Sequence, residues 1–108
     1  MSNLKNKNII VTGASGGIGN AIIKKLNQAG ANILASGTRF EKLEELKKNF
    51  ENIKILKFDI SQKDKIEEFI ENATNNLGGG LDCIVNNAGI TQDNLAIRMS
   101  LDEWQKVI

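Results

Sequence analysis

The sequence predicts an α/β fold, the N-terminal half of a doubly wound parallel sheet, on three observations. Short β-branched runs alternate with amphipathic helical segments of about 10–15 residues. A glycine-rich turn joins the first run to the first helix, and the chain contains no Pro and no low-complexity linker or repeat. Strands separated by helices of that length imply right-handed crossovers between parallel strands.

Each element follows from local pattern. Asn8-Ile9-Ile10-Val11-Thr12 ends at glycine and reads as a buried strand. Ile18, Ala21, Ile22, Leu26 and Ala29 recur at helical spacing until Gly30, a helix stop. Asn32–Ser36 is the second strand. Phe40, Leu43, Leu46 and Phe50 mark the inner face of a second helix whose Glu and Lys residues face water, and Lys54–Phe58 is the third strand. Ser61-Gln62-Lys63-Asp64 resembles a capping residue followed by an acid three positions on, and Ile66, Phe69, Ile70, Ala73 and Leu77 trace the next helical face. Gly78-Gly79-Gly80 ends it, Leu81–Val85 is the fourth strand, and Ser100-Leu101-Asp102-Glu103 opens a further helix cut off at Ile108. That helix carries no cap or stop signal, so the chain is expected to be a partial domain over 1–108, truncated at its C-terminus. Without further strands, strand four is expected to form an exposed apolar edge, and the fragment to be marginally stable.

Composition removes several function classes. A net charge of +1 gives no electrostatic reason to expect nucleic acid or an anionic membrane as a partner. No His and a single Cys, Cys83, make a transition-metal site and an internal disulfide untenable. Cys83 sits mid-strand among apolar neighbours and reads as an inert buried thiol. The polar start has no apolar signal segment and no stretch reaches the length of a membrane span, so a cytoplasmic protein is expected. There is no Tyr either, so the usual acids for reducing a carbonyl near neutral pH are missing.

The turn Thr12-Gly13-Ala14-Ser15-Gly16-Gly17-Ile18-Gly19 carries the chemistry. Gly13 suits the tight turn leaving the strand. Gly17, lacking Cβ, lets backbone approach a pyrophosphate. Gly19 lets the helix pack close to the sheet. The helix N-terminus then presents free N–H groups and a positive dipole end to phosphates. The spacing G-x-x-x-G-x-G differs from the commoner G-x-G-x-x-G, and no Gly-Lys-Ser/Thr follows, which excludes a Walker A loop. With strand one between strands two and four, the strand order reverses there, and ligands bind at that switch point outside the carboxyl ends of the strands. Both the glycine turn and Asn86-Asn87-Ala88-Gly89 follow such ends.

These two motifs, with Asp59-Ile60 closing the third strand, resemble the short-chain dehydrogenases/reductases, a Rossmann-fold oxidoreductase family. The resemblance spans the chain. The run Asn86–Leu95, with Arg98-Met99 and Glu103-Trp104, looks most like the 3-oxoacyl-[acyl-carrier-protein] reductases of bacterial fatty-acid synthesis. It implies a dinucleotide site formed by Gly13, Ser15, Gly16, Gly17, Ile18, Gly19, Thr38, Arg39, Asp59, Ile60, Asn86, Asn87, Ala88 and Gly89. By that resemblance Ser15 hydrogen-bonds the adenosine ribose and Asp59 accepts from the adenine amino group. A turn-stabilising hydroxyl and a loop-initiating Asp are the plainer readings of the same two residues. Asn86 and Asn87 combine binding with fixing the crevice wall.

Thr38 stands where an NAD-preferring site usually has an acid on the ribose 2′-OH. A neutral residue there spares a 2′-phosphate from repulsion, and Arg39 could pair with it, so NADP(H) is expected over NAD(H). Two features stand against this: many members of the family carry Arg where this chain has Gly16, and Arg39 also suits a solvated cation at a helix start.

The family's Ser, Tyr-x-x-x-Lys and Asn find no counterpart, so catalytic residues are none and the 108 residues alone are expected to be inactive. The complete enzyme would take an acyl-carrier-protein-bound substrate and form a homotetramer. Another alcohol or ketone substrate, or a non-catalytic nucleotide-binding module, are the alternatives.

Overall fold

The computed structural model describes residues 4–59, 62–87 and 96–99. In chain order the elements are β1 (Asn8–Thr12), α1 (Gly17–Gln28), β2 (Asn32–Gly37), α2 (Phe40–Asn49), β3 (Lys54–Lys57), a 3₁₀ turn at Lys63–Lys65, α3 (Ile66–Asn76), β4 (Cys83–Asn86) and β5 (Ala96–Met99). The sheet order is β3-β2-β1-β4-β5. β1 pairs in parallel with β2 (Ile9 opposite Ile33) and with β4 (Val11 opposite Val85), and β2 pairs in parallel with β3. The expected reversal of strand order at β1 is present.

The core follows from strand alternation, because successive side chains of a strand point to opposite faces. Ile9 and Val11 of β1 join Ile33, Ala35 and Val85 in one buried cluster with Ile23 of α1 and Leu43 and Leu46 of α2. Ile10 points to the other face and meets Leu34 with Phe69 and Ala73 of α3. Burial on both faces accounts for strands that read as nearly continuous apolar runs. The rings of Phe58 and Phe69 stack with centroids 4.3 Å apart, which seats α3 against the end of β3. Among the described residues no helix is long and apolar enough to cross a membrane.

Three expectations change. β4 is not an exposed edge: β5 pairs with it antiparallel, Val85 opposite Ile97 and Cys83 opposite Met99. An edge strand's unpaired N–H and C=O groups are a template for pairing, and here a segment of the same chain takes that place. The further helix opened at Ser100 lies outside the described residues. The acid expected to complete a cap with Ser61, Asp64, lies in the 3₁₀ turn, and α3 begins only at Ile66. Its first turn holds Glu67 and Glu68, which complement the dipole there, while Ser61 lies outside the described residues. Ile18, which fits the helical period, and Phe40, assigned to an inner helical face, are 44% and 45% exposed. Each stands in the first turn of its helix.

Candidate functional site

The site is built on the carboxyl ends of β1, β2 and β4. Gly13 turns the chain out of β1 with φ of 63°, a left-handed conformation that favours glycine. The Ala14 N–H then donates to the Ser36 carbonyl at 2.8 Å, tying the turn to the end of β2. The three glycines that follow divide into two kinds. A Cβ on Gly19 would lie 2.6 Å from the Ala14 Cα and 2.8 Å from the Gly13 carbonyl oxygen, so α1 packs on the turn more closely than any side chain allows. A Cβ on Gly16 or Gly17 would meet nothing within 4 Å. The protein's own packing does not require glycine at those two positions. They border an open cleft shared by Ser15, Asn20 and, from α2, Lys42 and Glu45.

The start of α1 suits an anion. Gly16 occupies the capping position with no side-chain hydrogen bond, and the first turn holds no acid. The first N–H groups of the helix thus have neither a side-chain acceptor nor a competing carboxylate from that turn.

A second polar cluster joins β1 to β4. The Thr12 hydroxyl is buried, at 3% exposure. It donates toward Asn86 Oδ1 at 3.1 Å, with the Val85 carbonyl a more distant acceptor at 3.4 Å. The same oxygen accepts from the Asn87 N–H at 3.1 Å. Asn87 Nδ2 donates to the Gly13 carbonyl at 3.1 Å. Asn86 and Asn87 are therefore bound directly to the glycine turn, and both expected motifs meet in one crevice wall.

At the end of β2, Thr38 and Arg39 are exposed. Arg39 Nη2 lies 3.4 Å from the Ser15 carbonyl, a long contact that lays the guanidinium along the glycine turn. Asp59 is exposed two residues past β3, and its carbonyl accepts from the Gln62 N–H at 3.0 Å. Gly13, Ser15–Gly19, Thr38, Arg39, Asp59, Asn86 and Asn87 thus stand at or just beyond the carboxyl ends of the sheet. Ile60, Ala88 and Gly89 lie outside the described residues.

Two residues of this wall escaped the sequence-based site. Thr12 is its hub, and the available signal was a lone hydroxyl closing an apolar strand. Gly37 is the other. A Cβ there would lie 2.8 Å from Ser15 Oγ and 3.2 Å from its N, so Gly37 makes room for Ser15. A glycine inside a strand end marks such close backbone approach. Cys83 is buried, and burial first, then the Asp82 carboxylate, push its thiol above its ordinary pKa, as expected of an inert thiol. Among the described residues no cluster of His, Cys, Asp and Glu could hold a metal.

The start of α1 offers backbone N–H groups of the kind that can receive a phosphate. The model of the short chain dehydrogenase family matches residues 7–108. Nodulation protein G of Rhizobium sp. (strain N33) is 41% identical over 109 residues, which span 100% of this chain and 44% of that protein. The 3-oxoacyl-[acyl-carrier-protein] reductase FabG of Rickettsia conorii is 40% identical, over 100% of this chain and 43% of the reductase. The crystal structure of a short-chain dehydrogenase/reductase, glucose/ribitol dehydrogenase, from Brucella melitensis superposes with a TM-score of 0.71 and 31% identity, covering 95% of this chain and 43% of that one. The chain thus spans less than half the length of these proteins.

Proposed function

Because the chain belongs to the short chain dehydrogenase family, whose members are oxidoreductases using nicotinamide dinucleotides, we propose that it forms the NADP(H)-binding part of a 3-oxoacyl-[acyl-carrier-protein] reductase. The observation that carries the cofactor reading is the capless start of α1, with Gly16 and Gly17 open to space and Gly19 closed by backbone. That pattern reserves room for a ligand's phosphates while fixing the helix that receives them. Bound there, the dinucleotide would supply the hydride.

The chain's own residues do the rest of the binding. The first turn of α1 would take the pyrophosphate. Ser15, in the space Gly37 leaves, would hydrogen-bond the adenosine ribose. Asp59 would accept from the adenine amino group. Thr38 places no negative charge beside a 2′-phosphate, and Arg39 lies alongside, which supports NADP(H) over NAD(H). The sequence holds neither Tyr nor His, so in this reading the acid that protonates the carbonyl oxygen comes from outside these 108 residues. The acyl-carrier-protein substrate, the tetramer and a cytoplasmic location belong to the same proposal. The 40% identity to the Rickettsia reductase supports the substrate.

The test is a steady-state assay of the intact protein with 3-oxoacyl-[acyl-carrier-protein] and a panel of sugars, alcohols and ketones, each with NADPH and NADH. Fastest turnover of the acyl substrate with NADPH is expected. Preference for a polyol or small ketone would overturn the substrate and leave the family role intact.

A further inference from the structure

The cleft beside the glycine turn contains a charge pair whose placement is unusual for a helix. Lys42 lies in the first turn of α2, and the start of a helix disfavours a cation. Its Nζ is 3.8 Å from Glu45 Oε2, one turn along, with the two side chains 44% and 66% exposed. A pair that long and that open is held weakly. Both residues line the cleft that Ser15, Gly16 and Gly17 border from the other side. Gly16 offers no side chain there, and a Cβ at that position would meet nothing within 4 Å. Arg39 lies along the Ser15 carbonyl, outside this lining. Among the described residues that line the cleft, Lys42 is the one cation and Glu45 the one carboxylate.

We propose that Lys42 and Glu45 set the selectivity of this site for a 2′-phosphorylated adenosine. Lys42 leaves Glu45 to pair with the 2′-phosphate, and Glu45 opposes it, as a competing partner for Lys42 and as a like charge facing the phosphate. The inference rests on the NADP(H) reading and assigns its control to α2. It predicts opposite signs for two neighbouring substitutions, which a general loss of packing would not produce.

The test measures binding of 2′,5′-ADP and of 5′-AMP to the intact protein and to its K42Q, K42R and E45Q variants, at low and high salt. K42Q should bind 2′,5′-ADP about 3- to 10-fold more weakly, in keeping with one partly exposed charge-assisted contact. K42R should retain most of the affinity, and E45Q should bind about twofold more tightly, a change on the scale of an exposed ion pair. Affinity for 5′-AMP should stay the same in all three, which also shows that each variant is folded. Added salt should narrow the differences. If the unsubstituted protein does not prefer 2′,5′-ADP over 5′-AMP, the NADP(H) reading fails and the proposal with it. If it does prefer 2′,5′-ADP but K42Q keeps that preference, or E45Q fails to tighten it, the proposal is overturned and the NADP(H) reading stands.

Discussion

The two ends of β1 are both tied to their neighbours by polar side chains, yet only one end borders the candidate site. At the amino end, Asn8 and Asp82 close a reciprocal pair. The Asn8 N–H donates to Asp82 Oδ2 at 2.8 Å, and the Asp82 N–H donates to the Asn8 carbonyl at 2.9 Å. Asn8 Nδ2 donates to the Gly80 carbonyl, and Asn32 Nδ2 donates to Asn8 Oδ1. At the carboxyl end, Thr12 and Asn87 make equivalent ties to β4 and to the glycine turn. The difference lies in what surrounds the ties. In a parallel sheet each strand's carboxyl end leads toward the start of a helix, so free N–H groups and positive dipole ends gather on that side. The amino end collects helix ends and short turns, whose polar groups satisfy one another. The same hydrogen-bonding chemistry is a staple at one end and a crevice wall at the other.

The largest expected effect separates the glycines of the carboxyl end. G19V places atoms against the Ala14 and Gly13 backbone. It should cost about 3 kcal/mol or more, lowering Tm by at least roughly 12 °C for a domain of this size. G17A should leave Tm nearly unchanged, since a Cβ there meets no protein atom. It should nevertheless weaken dinucleotide binding by about tenfold, a loss near 1.4 kcal/mol. Thermal melts and cofactor titrations of the two variants check this, and a G17A protein that melts as early as G19V would erase the distinction.

T12V comes next. It removes the buried hydroxyl that accepts from Asn87 and keeps nearly the same shape. A loss of about 1–3 kcal/mol is expected from the buried groups left unpaired, together with weaker cofactor binding. Denaturant unfolding measures the first and fluorescence titration the second. D82A acts at the opposite end and should cost about 1 kcal/mol for the lost hydrogen bond to the Asn8 N–H, with cofactor affinity unaltered. An affinity loss in D82A equal to that of T12V would mean that the two ends do not act separately.

The smallest effect concerns Cys83, beside Asp82. Its folded-state pKa is raised, so the folded protein holds the thiol proton more tightly than the unfolded chain. The contribution to stability is complete below the ordinary thiol value of 9.0 and is lost as pH rises through the higher folded value. Denaturation between pH 8 and pH 10 should therefore show a steeper decline for the unsubstituted protein than for C83A. Iodoacetamide should label Cys83 much faster in urea than in the folded state.

Much of this architecture is legible along the chain because its signals are local. Alternating apolar runs and helical periodicity located β1 to β4 and α1 to α3, and the sequence G-x-x-x-G-x-G located the turn between β1 and α1. Exposure in the first turns was not legible. Ile18 and Phe40 fit the helical period, but where the sheet stops beneath a helix depends on strand length and tilt. The pairing of β5 with β4 was hidden for a similar reason: Ala96–Met99 is short and interrupted by Arg98, and only the open edge of β4 gives it a partner.

By itself the sequence determined the order of β1 to β4 and α1 to α3, the two faces of each strand and the glycine turn between β1 and α1, since these depend on near neighbours and on backbone sterics. The tertiary structure decided which of those residues meet. Thr12 reaches Asn87 across 75 positions of sequence, Gly37 yields its space to Ser15, and Lys42 enters the cleft from a helix with no pattern of its own to announce it. Such contacts follow from the register in which parallel strands pair, and that register is set only when both faces of the sheet find their helices.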